Sequence, residues 1–79
     1  MSGFEVDDKG FWTDLKRRNL PPWVEKAARL KIEDIQINPT KSGGRYRGKW
    51  AYSLGKYIIV ADLDEKRRII KLLDLVCLP

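Results

Sequence analysis

Two adjacent stretches in the second half of the chain leave little freedom in what it can fold into. From Arg45 to Leu54, Tyr46, Trp50, Tyr52 and Leu54 alternate with Arg45, Arg47, Lys49, Ala51 and Ser53. From Tyr57 to Leu63 the residues are strongly β-forming, with Ile58, Ile59 and Val60 at the centre. A period of two is the repeat of a strand with one buried face, and Gly55-Lys56 between the stretches reads as a hairpin turn. A two-stranded hairpin alone is marginal in water. The rest of the chain must therefore extend it and cover its apolar face.

The first half supplies that cover. Phe11, Trp12 and Leu15 fall at helical spacing after Asp7 and Asp8, which offer an N-cap, and this helix ends near Arg17-Arg18-Asn19. Leu20-Pro21-Pro22 interrupts the chain, with Pro22 suited to a first helical position. From Trp23 to about Ile35, Val24, Ala27, Ala28, Ile32 and Ile35 form an apolar stripe with Trp23 and Leu30 on its flanks, and Asn38-Pro39 ends it. Phe4-Glu5-Val6 reads as a short opening strand, and Asp64-Glu65-Lys66 as a second turn. Ile69, Leu72, Leu73 and Val76 in the last segment fit a helical period, yet the segment is short and follows a turn, so a third meander strand fits too. The expectation is one α+β domain over residues 1–79. Two N-terminal helices pack on a small antiparallel sheet made of the short N-terminal strand and a C-terminal three-stranded meander.

With 79 residues, one cysteine (Cys77) and no histidine, neither an internal disulfide nor a zinc staple is available. Cys77 is expected as a small buried residue in a reducing compartment. Nucleophilic sites that need histidine are excluded. No membrane-length apolar run and no charged-then-apolar leader are present, so a cytoplasmic protein without a membrane partner is expected. Paired carboxylates occur at Asp7/Asp8 and Asp62/Asp64, without a glycine-rich acidic loop; no metal or other cofactor is expected.

The net charge of +5 is confined to one window. Lys41, Arg45, Arg47, Lys49 and Lys56 lie between Lys41 and Tyr57 with no acid among them. Such a patch calls for a polyanionic partner. Aromatic rings interleaved with the cations suit RNA, because bases stack while phosphates pair. Lys41, Arg45, Arg47, Lys49, Lys56 and Tyr52 are the candidate nucleic-acid-binding residues. Strict alternation would put Arg45, Arg47 and Lys49 on one face and the aromatic rings, Tyr46, Trp50 and Tyr52, on the inward one. Trp12 and Trp23 would pack helices on the sheet. Lys41-Ser42-Gly43-Gly44 offers backbone N–H groups to a phosphate but lacks the spacing of a phosphate-binding loop.

The stretch Gly48-Lys49-Trp50-Ala51-Tyr52-Ser53-Leu54-Gly55-Lys56-Tyr57-Ile58-Ile59-Val60-Ala61-Asp62-Leu63-Asp64 resembles the central hairpin of the RelE/ParE superfamily of toxins from toxin–antitoxin pairs. Phe11-Trp12-Thr13-Asp14-Leu15-Lys16 is similar to that family's first helix, and Asn38-Pro39 to the end of its second. The resemblance spans almost the whole chain and turns the last segment towards strand. It implies an antitoxin partner, acidic and helical, lying over the sheet. It also implies a metal-independent endoribonuclease cutting messenger RNA at the ribosome; Arg45, Arg47 and Lys49, cations this chain carries earlier in the sequence, are the candidate catalytic residues to stabilise the phosphorane and the leaving oxygen. The pattern departs from the family where Ala51, Ser53 and Ile58 replace basic strand residues. Val76-Cys77-Leu78 stands in place of a basic C-terminal stretch, and no terminal Tyr follows. The alternatives are a non-catalytic relative, such as a ParE-like binder of another target, and a small basic nucleic-acid-binding module.

Overall fold

Each strand buries one face, and that requirement sets the architecture. The computed structural model describes residues 3–41 and 43–78. The chain runs β1 (Glu5–Asp7), α1 (Phe11–Arg17), α2 (Pro22–Ile37), β2 (Gly44–Tyr46), β3 (Lys49–Leu54), β4 (Tyr57–Asp64) and β5 (Ile69–Cys77). The strands form one sheet in the order β1-β5-β4-β3-β2. β2 to β5 are an antiparallel meander, whereas β1 lies parallel to β5 with Val6 opposite Ile70. The expected antiparallel sheet is thus a mixed one at that edge. A parallel neighbour needs a long crossover, and everything from α1 to β4 provides it.

On the covered face, Tyr52, Leu54, Tyr57, Ile59, Ala61, Ile70, Leu72 and Leu75 pack with Phe11 and Leu15 of α1 and with Val24, Ala28, Ile32 and Ile35 of α2. Fully burying one such aliphatic side chain contributes about 1.5–3 kcal/mol. The segment left open between helix and strand is β5. Its inward residues Leu72 and Leu75 are three apart because a β-bulge between Val60 and Ala61 pairs Val60 with Asp74 and Ala61 with Leu72, leaving Leu73 as the extra residue. A bulge restores the inward face one residue late, which imitates a helical period.

Local details differ from the expectations in instructive ways. α1 begins after Gly10, at φ 80°, with no aspartate cap. Asp8 instead accepts a 2.7 Å hydrogen bond from the Trp12 indole N–H. Past the end of α1, the Arg18 guanidinium donates to the Leu75 carbonyl at 2.6 Å and lies 3.4 Å from Asp74 Oδ1, tying the helix to β5. α2 begins at Pro22 as expected and runs to Ile37, two residues past the expected end. Trp23, expected to pack helix on sheet, is 48% exposed; its ring meets Tyr57, with centroids 5.9 Å apart, and lies 3.5 Å from where a Cβ on Gly55 would stand. Cys77 is exposed rather than buried: it is the last paired residue of the β4–β5 ladder, and no further pair shields it.

Candidate nucleic-acid interface

The basic stretch is not one strand but a hairpin. Arg47 and Gly48 both hold positive φ (52° and 82°), which is the backbone of a two-residue type I′ turn. β2 and β3 flank it, with Arg45 opposite Trp50 and Tyr46 opposite Lys49. The fold therefore has a strand the sequence reading merged into its neighbour. Glycine is the natural occupant at position 48. Arginine at 47 is not, since a side chain in the left-handed region costs about 1–2 kcal/mol.

This turn overturns the expected alignment of three cations on one face. Cross-strand partners share a face, so Arg45 lies on the side of Trp50, its guanidinium 5.2 Å from the indole centroid. Arg47 occupies the tip, 5.6 Å from the ring of Tyr46. Lys49 faces the other way, and its Nζ meets Asp62 Oδ2 at 3.1 Å. Tyr46 shares that outer face and is not inward with Trp50 and Tyr52. Lys56 sits on the β3–β4 turn over Tyr57, at 5.8 Å. Six-residue β3 separates it from the Arg47 tip by roughly 17–20 Å at 3.4 Å per residue. Lys41 lies in the turn that closes α2, its N–H bonded to the Asn38 carbonyl. Arg45 and Arg47 form no ion pair among the described residues. Of the phosphate-loop segment, Ser42 lies outside the described residues.

Tyr52 cannot act as expected. It is buried, and its hydroxyl donates to the Pro39 carbonyl at 2.7 Å. Burial pushes its pKa up. Its ring and that of Trp50 pack so closely on Gly43 that a Cβ there would fall 2.8 Å and 2.7 Å from them. Tyr52 is thus a structural post beneath the hairpin, not a stacking surface. Asp62 is the residue missed. A Gly55-Lys56 turn fixes the β3–β4 register and sets Lys49 beside Asp62, one step beyond the Trp50–Ala61 pair. The signal was present in the turn.

The sheet's other face carries no helix. Ile58, Val60 and Val76 alternate with the core residues of β4 and β5, Ile58 opposite Val76, with Ala51 and Asp74 opposite Val60. Among the described residues no group of three or more His, Cys, Asp or Glu is placed to hold a metal ion, and no helix is long and apolar enough to cross a membrane.

A chain in the crystal structure of the toxin–antitoxin complex RelBE2 from Mycobacterium tuberculosis superposes on this one with a TM-score of 0.69, covering 95% of this chain and 98% of that one. The fold is RelE-like. Sequence identity over the match is 15%, so the likeness fixes the RelE-like architecture and leaves the chemistry to be argued from this chain's own residues. No family model and no curated protein matches the sequence. The strand order places β4 at the sheet's centre, with β3 and β5 on either side of it.

Proposed function

We propose that this chain is the toxin-like member of a toxin–antitoxin pair and that it contacts RNA through the β2–β3 hairpin. The RelE-like fold, found in a toxin–antitoxin complex, supports the first half. One observation carries the second: Arg47 is held at the hairpin tip with φ 52°, where Asn or Gly would serve the turn better. A residue kept at a cost to the turn is doing something other than folding. With Arg45 and Lys41 nearby in sequence, three phosphate contacts to single-stranded RNA give a log–log salt slope of about −2.

The antitoxin, expected to be acidic and helical, would lie over the sheet face without helices, across Ile58, Val60 and Val76. Binding only the folded form, it would stabilise a small domain by mass action. In the endoribonuclease version, Arg45 and Arg47 neutralise the charged phosphorane in messenger RNA at the ribosome, and Lys49 joins them after leaving Asp62. The Lys49–Asp62 pair and the buried Tyr52 hydroxyl favour a second version, in which RNA is held but not cut. Incubation with ribosomes and messenger RNA, followed by mapping of new ends, separates the two. The double variant Arg45→Ala/Arg47→Ala is expected to weaken RNA binding at least about tenfold at low salt and to flatten the slope by about 1.4. Affinity unchanged by that variant would refute the RNA contact.

A further inference from the structure

α2 carries a second apolar stripe that the fold uses only in part: Trp23 meets Tyr57 and Ala27 borders the core, while the rest faces solvent. Trp23, Leu30 and Ile37 are 48%, 59% and 77% exposed and stand seven residues apart. With Ala27 and Asp34 between them they follow the 4-3-4-3 spacing of a coiled-coil seam. At 100° per residue this seam lies roughly 135° around the helix from the core stripe of Val24, Ala28, Ile32 and Ile35. Three large apolar side chains aligned in solvent over a four-turn helix mark an interaction surface.

The charges beside the seam identify the occupant. About Leu30, a basic residue stands four positions before (Lys26) and acids three and four positions after (Glu33 and Asp34). None of the three forms an ion pair among the described residues, whereas Arg29 and Glu25 on the far side hold each other at 3.1 Å. Opposite signs at equal offsets are what an antiparallel two-fold pairing requires of itself. We propose that the chain self-associates through this face of α2, as an antiparallel helix pair whose axis passes beside Leu30. Leu30 then meets the partner's Leu30, and Trp23 packs on the partner's Ile37. Lys26 reaches the partner's Glu33 and Asp34, and the arrangement occurs twice by symmetry. Small Ala27 admits the opposing side chains. Because α2 covers the sheet face opposite to the one without helices, this surface is separate from the face assigned to the antitoxin, and the inference does not depend on the RNA contact.

A single helix pair is a small interface, so a reversible dimer with a dissociation constant of tens of micromolar, roughly, is expected in sedimentation over a wide concentration series. Leu30→Glu, at an exposed site, should raise that constant at least about 30-fold with unchanged circular dichroism and melting temperature. Lys26→Glu should raise it about tenfold, and Lys26→Glu/Glu33→Lys/Asp34→Lys should bring it back to within about threefold of the starting value. In a Cys77→Ser background, Leu30→Cys should oxidise to a cross-linked dimer, while Thr13→Cys on α1 should not. A protein that stays monomeric to about 1 mM, a dimer indifferent to Leu30→Glu, or a charge-reversed triple variant that fails to recover would each overturn the proposal. So would a helix of an antitoxin binding this face with the chain itself remaining monomeric.

Discussion

The two faces of the sheet are built from the same strands and obey different rules. On β4, Ile59 is fully buried beneath the helices, while Ile58 and Val60 on either side of it turn to the face without helices. Those two are still only 8% and 7% exposed, shielded by neighbours within the sheet rather than by a second layer. On the helical face the buried side chains of the strands pack on those of α1 and α2, and the buried Tyr52 hydroxyl has its acceptor. The other face mixes Ile58, Val60 and Val76 with Lys49, Asp62 and Asp74, whose ion pairs remain open to solvent. Stability is concentrated on the first face. The second can change without loss of the fold, which is where a partner surface can be kept.

The largest expected effect follows from truncating neighbours on β4. Ile59→Ala removes a fully buried side chain from a packed core and should cost about 3–4 kcal/mol. In a domain of this size that lowers the melting temperature by roughly 15–25 °C. Val60→Ala, one residue away, should cost less than half as much, because it removes less of a side chain and the space left borders solvent rather than a helix-covered core. Urea titrations of both variants check this. Equal costs would mean that the two faces do not differ in the way the burial implies.

Next in size is Tyr52→Phe. It leaves the buried Pro39 carbonyl without its donor, at a cost of about 1–2 kcal/mol. The same hydroxyl makes stability depend on pH. Burial raises its pKa in the folded state above the unfolded value of 10.0, so the folded form holds the proton more tightly. Its contribution is complete below about pH 10 and is lost as pH rises through the folded pKa. Alkaline melting of the parent should therefore steepen relative to Tyr52→Phe, and parallel curves would remove the phenol from the account.

Much of this could be read from residues alone, and the failures share one cause. Val24, Ala28, Ile32 and Ile35 announced α2, and Gly55-Lys56 announced the β3–β4 hairpin, because both are patterns within a short window. Arg47-Gly48 was hidden since alternation survives a two-residue turn in appearance: Tyr46 and Trp50 look like positions of one strand although they face opposite sides. The basic window looked uncompensated for a similar reason. Asp62 is 13 residues from Lys49 in sequence, yet 3.1 Å away across the ladder. The bulge at Leu73 made a strand resemble a helix. In each case a pairing between strands, rather than a propensity, decided the outcome.

The smallest expected change concerns that cross-strand pair. Lys49 and Asp62 are 43% and 53% exposed, so the attraction between them is screened and worth roughly 0.2–1 kcal/mol. Asp62→Asn should therefore leave the melting temperature within a few degrees of the parent. It frees a cation on the outer face, however, next to Tyr46 and one residue past the Arg47–Gly48 turn. If RNA runs across that face, the variant should bind about two- to fivefold more tightly at low salt, with a slope steeper by about 0.7. If RNA stays on the Arg45 and Trp50 side, Asp62→Asn should do nothing while Arg45→Gln weakens binding about two- to fivefold at low salt. The pair of variants thus assigns the polyanion to one side of the hairpin, because Asp62 lies with Lys49 on the outer face and Arg45 lies with Trp50 on the other.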